Sequence, residues 1–165
     1  MTFEVRPARL SDLDAILSIW HERPGADSDL DRRDLVAHRV DFKDRISGQE
    51  ETFRFWVATS DGACIGWSSL QRMRSSPSLK GTMAEWSIYV SVMSRGQSVG
   101  SRLATATIDH ARESGLEWVL GFVAGTNGPC IGMFEQYGFK RLGTFPVPTG
   151  NGRRPEVILF ALDVS

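Results

Sequence analysis

Cysteine, tyrosine and histidine are scarce in this 165-residue chain, at two, two and three residues. Cys64 and Cys130 stand far apart and fit no metal-ligand spacing, so both read as small buried hydrophobes and no metal is expected. His21, His38 and His110 share no motif and read as surface or packing residues; His21 is set apart only because it ends a helix that a cleft could border. Neither sign of charge is in excess, with 19 basic against 20 acidic residues. That balance argues against nucleic acid or an anionic membrane as the main partner. No apolar run approaches the roughly 18 residues that span a bilayer. Met1 to Pro7 lacks the apolar core of a signal peptide, so the cytosol is the expected location. No Gly-Lys-Ser/Thr run follows a glycine loop, which excludes a Walker A site, and the glycine spacing does not fit a dinucleotide fingerprint. There is no internal repeat and no low-complexity segment. The length suits one domain, 1–165, with a core that needs no metal or disulfide.

What is present centres on Arg95-Gly96-Gln97-Ser98-Val99-Gly100-Ser101-Arg102-Leu103. Glu85 to Val90 before it reads as a strand. Leu103, Ala104, Ala106, Thr107, Ile108 and Ala111 after it recur at helical spacing. A strand feeding a small-residue loop that opens a helix is a place to bind phosphate, because backbone N–H groups and the helix dipole both favour an anion there. Gly96, Ser98, Gly100 and Ser101 are small enough for close backbone approach, and Arg95 and Arg102 can add charge. An ordinary strand–loop–helix connection fits the same residues.

Around this loop the pattern predicts β-α-α-β-β-β-α-β-α-β-β. Phe3 to Arg6 reads as a strand. A helix opens at Ser11 with Asp14 as a capping partner and buries Leu13, Ile16, Leu17 and Trp20, ending at Pro24-Gly25. A second spans Leu30 to Ile46 and buries Leu35, Val36, Val40 and Phe42. Phe53 to Thr59 and Ala63 to Leu70 are strands joined by an Asp61-Gly62 hairpin turn. Arg72 to Gly81 is loop, and Thr82 to Val90 is the next strand. The helix after the phosphate loop stops at Gly115. Trp118 to Val123 is a buried strand. Gly128-Pro129 starts a short helix ending at Tyr137-Gly138. Phe139 to Phe145 and Val157 to Leu162 close the chain, around a Pro- and Gly-rich linker 146–155. This is a mixed α/β pattern.

The element order, the 95–100 loop and Tyr137-Gly138-Phe139 together resemble the GNAT superfamily of N-acetyltransferases. That family's loop pattern is Gln/Arg-x-x-Gly-x-Gly/Ala, and Ser98 stands here in place of its first glycine. Gly66-Trp67, Glu85-x-Ser87-x-Tyr89-Val90-Ser91 and Asn127 add a likeness to its phosphinothricin and methionine sulfoximine N-acetyltransferase branch. The resemblance runs from about residue 3 to 163. It implies an α/β (α+β) GNAT fold: a mixed central sheet with a splayed pair of strands and helices on both faces.

The resemblance further implies acetyl-CoA as co-substrate, a small primary amine such as an amino acid or analogue as acceptor, and a homodimer. Glu85 interrupts an apolar strand, where a carboxylate is costly without a use or a partner. It is the candidate base that takes the ammonium proton of the acceptor; an ion pair with Arg72, Arg74 or Lys80 is the alternative. In the resemblance, the backbone of Ile88, Tyr89 and Val90 bonds the pantetheine arm, and the N–H of Val90 polarises the thioester. Arg95, Gly96, Gln97, Ser98, Val99, Gly100 and Ser101 hold the pyrophosphate. Asn127 caps a helix, contacts the cofactor, or both. Arg74 and Lys80 are candidate holders of an acceptor carboxylate, and Trp67 and Trp86 candidate walls of its pocket. Many superfamily members carry a tyrosine at the position of Phe134 to protonate the leaving thiolate, so that acid is unassigned. Attack is expected to be direct, in a ternary complex. A non-catalytic acyl-CoA sensor and a protein or peptide N-acetyltransferase are the rival readings.

Overall fold

A computed structural model of the chain describes residues 2–23, 29–73, 81–147 and 155–165, with backbone alone for 29–34. The Pro24-Gly25 break, Arg74, Lys80 and most of the linker lie outside the described residues. Strands β1 (Glu4–Pro7), β2 (Phe55–Ser60), β3 (Ala63–Arg72), β4 (Met83–Val90), β5 (Trp118–Ala124), β6 (Lys140–Pro146) and β7 (Glu156–Asp163) alternate with helices α1 (Leu13–His21), α2 (Asp29–Ser47), α3 (Val99–Glu113) and α4 (Gly128–Gln136). The order is the one the sequence predicts, and the mixed sheet runs β1-β2-β3-β4-β5-β7-β6. Two compact units divide it: Met1–Gln71 with Ser87–His110, and Arg72–Trp86 with Ala111–Ser165.

In the first unit the β2–β3 hairpin turns at Asp61 (φ 49°) and Gly62 (φ 80°). Both residues are left-handed, as the twist of a two-residue hairpin requires. Its core joins Leu13, Ile16, Leu17 and Trp20 of α1 to Phe42 and Ile46 of α2 and Phe55, Val57 and Trp67 of the sheet. Two expectations are corrected. Val36 and Val40 of α2 are exposed; the inward stripe runs instead through His38, whose ring lies 4.2 Å from Trp20, and Phe42. These are one turn apart on a face offset from the two valines. The α1 entry also differs, because a 3-10 turn over Leu10–Asp12 precedes the helix. Asp12, not Ser11 with Asp14, makes the cap: its carboxylate accepts from the Arg9 N–H at 2.7 Å and from both terminal nitrogens of Arg6 at 2.9 Å. Asp14 points outward to Arg39 at 2.6 Å.

α3 packs onto β3 through Gly66, where a Cβ would lie 3.1 Å from Leu103, Val99 and the Tyr89 carbonyl oxygen. The buried hydroxyls of Ser68 and Thr107 bond each other at 2.9 Å, and Thr107 donates to the Leu103 carbonyl at 2.8 Å. No polar atom of that pair is left unsatisfied, so its burial carries no penalty.

In the second unit, β5 pairs in parallel with β4 over Met83–Glu85 and antiparallel with β7 along its length. Ala84 and Trp86 face the side covered by α4, where Trp86 packs on Phe134 and Phe139, centroids 4.6 and 5.3 Å away. Glu85 projects to the opposite side, as strand alternation demands.

Candidate active site

The candidate phosphate loop lies in the first unit. β4 ends at Val90, and the Ser91 N–H donates to the Ile65 carbonyl at 3.0 Å. A 3-10 turn, Val92–Ser94, then leads into the loop. Gly96 (φ 75°) and Ser98 (φ 63°) are both left-handed. Reversing the backbone twice within three residues brings the chain round to the start of α3. A serine there carries a steric cost that glycine does not. The Arg102 N–H donates to the Ser98 carbonyl at 3.1 Å. By helix geometry the first amides of α3 point out of its N-terminus. No acidic residue lies in that first turn, and a Cβ at Gly96 would meet nothing within 4 Å. The loop is therefore open, made of small residues and electropositive at the helix end, which suits a diphosphate.

The charged side chains of the loop are partly engaged. Arg95 Nε donates to the Val90 carbonyl at 3.3 Å, and Gln97 Nε2 to the Met93 carbonyl at 3.1 Å. The Arg102 guanidinium sits 4.6 Å over the ring of Phe3. Tyr89 stacks on Trp67 at 4.7 Å and 28°, so these two expected site residues meet. Trp67 is 1% exposed and Trp86 2%.

Glu85 sits at the end of the registered β4–β5 pairing, opposite Leu120. It is half-buried, on the face of β4 away from Trp86. Arg72 lies in the same unit, and a Cβ on Gly81 would lie 2.0 Å from a terminal nitrogen of its flexible guanidinium and push it aside. Asn127 is the N-cap of α4: its side chain accepts from the Cys130 N–H at 3.3 Å. Phe134 is buried among Trp86, Phe139 and Phe160. Burial pushes both thiols, Cys64 and Cys130, up to about 11. At neutral pH they stay protonated, which suits packing and not nucleophilic attack. Among the described residues no three His, Cys, Asp or Glu gather to hold a metal.

One contributor escaped the sequence reading. Glu22, just past α1, accepts from the Ser91 hydroxyl at 3.2 Å and the Val92 N–H at 2.5 Å. It ties the end of α1 to the turn before the loop. Its only signal was position, since an acid after a helix usually reads as solvated.

A small-residue loop leading from a strand into a helix N-terminus suits the binding of an acyl-CoA diphosphate, and comparison with known proteins gives the class as acyltransferase. The profile of the acetyltransferase (GNAT) family matches residues 13–139, and the chain belongs to that family. It is 29% identical over 168 residues, covering 98% of this chain and 99% of the other, to YwnH of Bacillus subtilis (strain 168), whose name assigns it provisionally to the phosphinothricin acetyltransferases. It is 28% identical over 150 residues, 88% of this chain and 85% of the other, to the L-methionine sulfoximine/L-methionine sulfone acetyltransferase of Pseudomonas aeruginosa. A phosphinothricin acetyltransferase structure from Sinorhizobium meliloti in complex with acetyl-CoA shares the fold at TM-score 0.79 and 20% identity, over 99% of this chain and 89% of that one.

Proposed function

We propose that the chain transfers the acetyl group of acetyl-CoA to the primary amine of a small molecule, an amino acid or analogue. The observation that carries the reading is the loop itself. Left-handed Gly96 and Ser98 turn a loop of small residues into the N-terminus of α3, whose first turn holds no acidic residue. The relatives named for phosphinothricin and methionine sulfoximine support the choice of acceptor.

In this reading the pyrophosphate sits on residues 95–101 and the pantetheine runs along Ile88, Tyr89 and Val90, with Asn127 as a further contact. Glu85 takes one proton from the acceptor ammonium, directly or through water. The freed amine lone pair attacks the thioester carbon. The Val90 N–H receives the developing oxyanion. The C–S bond then breaks, the second amine proton is lost, and the thiolate leaves as CoA, taking its proton from water because Phe134 has none to give. Arg74 and Lys80 are proposed to meet the acceptor. Trp86, packed on the far side of β4 from Glu85, supports the strand in this reading.

We further infer a homodimer. Trp118, Phe122 and Phe145 are 40 to 43% exposed. Register with Val157 and Leu159 places Phe122 and Phe145 on one face of the β5-β7-β6 sheet, and Trp118 follows by strand alternation. Such a patch is costly to leave in water. No described helix is long and apolar enough to cross a membrane, and the cytosol is the proposed location.

The test is acetyl-CoA-dependent thiol release against methionine sulfoximine, methionine sulfone, phosphinothricin, other amino acids, polyamines and peptides, beside a Glu85→Gln variant. Release with amino-acid-type acceptors, lost by about a hundredfold or more in the variant, is expected. Release only with peptides, or with none while acetyl-CoA still raises the melting temperature, overturns the small-molecule reading.

A further inference from the structure

We propose that the ring nitrogens of Trp67 and His21 bind oxygens of the acceptor molecule, carboxylate or sulfonyl-type oxygens carried near the amine. This rests on the acetyl-transfer reading above.

Among the described residues, Trp67 Nε1 and His21 Nε2 are buried and have no hydrogen-bond partner. A buried donor without an acceptor is unfavourable, by about 1–3 kcal/mol, and phenylalanine at position 67 would keep an aromatic ring there without that cost. An indole N–H only donates, and an imidazole nitrogen donates when it carries the proton. An oxygen acceptor is the complement of Trp67 and of the His21 tautomer protonated at Nε2.

Placement ties both residues to one stretch of the chain. The Trp67 ring stacks on Tyr89. Glu22, the neighbour of His21, bonds Ser91 and Val92. Both nitrogens thus belong to groups fastened to the stretch Tyr89–Val92, where the proposed acyl-binding strand ends. One aromatic cluster connects them, from His21 to Trp20 at 5.1 Å, Trp20 to Phe42 at 6.1 Å and Phe42 to Trp67 at 5.5 Å. The Arg23 guanidinium lies 3.3 Å over the Trp20 ring and adds positive charge at the same end of α1. An oxygen seated there would hold the acceptor by a group other than its amine, which is what selection among amines requires.

The experiment uses CoA-loaded protein and reads acceptor-dependent thermal shift, so it does not depend on turnover. The probes are methionine sulfone, methionine, which lacks the sulfonyl oxygens, and 3-(methylsulfonyl)propylamine, which lacks the carboxylate. Wild type is compared with Trp67→Phe and His21→Phe. Methionine sulfone should stabilise wild type and bind each variant about tenfold or more weakly. Acetyl-CoA should bind all three alike. The probe whose binding the variants leave unchanged identifies which oxygen is held. Equal binding of methionine sulfone by wild type and variants overturns the proposal. So does a Trp67→Phe protein that melts lower and loses acetyl-CoA binding as well, or a wild type that none of the three probes stabilises. Thiol release by wild type with any amine tests the underlying reading separately.

Discussion

The phenyl ring of Phe134 fills the space where Gly121 has no side chain: a Cβ on Gly121 would lie 2.1 Å from Cε1 and 2.5 Å from Cζ of that ring. The tip of the ring is thus pressed against β5. Phe134→Tyr would place a hydroxyl at that tip, with no space and no solvent. We expect it to destabilise the fold by about 1–3 kcal/mol and to leave turnover no faster. Gly121→Ala should cost a similar amount by the same clash. Thermal melts with thiol-release assays check both, and a faster, equally stable Phe134→Tyr would show that the ring points elsewhere.

Ser98 holds a left-handed backbone at φ 63°. Ser98→Gly should stabilise the protein by a few tenths to about 1 kcal/mol, with acetyl-CoA bound at least as tightly. Ser98→Val, β-branched at the same angle, should lose about 1–3 kcal/mol and weaken acetyl-CoA binding. Paired melting curves with and without acetyl-CoA separate these effects.

The Arg6–Asp12 pair is expected to shape acid stability. Hydrogen bonding from the Arg6 guanidinium holds the Asp12 carboxyl below its ordinary 3.8. A depressed carboxyl stabilises the fold above its unfolded value, and that contribution is lost as pH falls through the lower folded one. Stability should therefore drop from about pH 4 downward, and Asp12→Asn should flatten that limb while costing about 2 kcal/mol at neutral pH. Arg6 is raised by the same bond, so its own contribution persists through the neutral range. Denaturant melts from pH 2 to 7 give the slope.

Glu22 fastens α1 to the turn before the 95–101 loop. Glu22→Ala should raise the KM for acetyl-CoA several-fold and lower stability by about 1–2 kcal/mol, since a charged acceptor of a backbone N–H is lost. An unchanged KM with lowered stability would assign Glu22 to the fold alone.

Much of this protein was legible in advance. The element order followed from period-two and period-3.6 patterns punctuated by glycine and proline. The Asp61-Gly62 turn was readable because few residue pairs accept two positive φ values, and the small residues at 96–101 marked the loop that opens α3. The buried stripe of α2 was misread because Val36 and Val40 look like core residues when burial is judged by residue type. His38 was readable only as a surface or packing residue, because a histidine's type does not say which. The cap went to Asp12 because Arg6, on another element, holds its carboxylate.

The sequence by itself determined the strands, the helices, the turn at 61–62 and a loop of small residues before a helix. These depend on neighbours a few residues apart and on what each backbone can adopt. Tertiary structure alone decided that Ser98 is left-handed, that Trp67 stacks on Tyr89, that Phe134 closes onto Gly121 and that Glu22 reaches Ser91 across 69 positions. Contacts between distant segments depend on how elements pack against one another, and no local pattern encodes that packing.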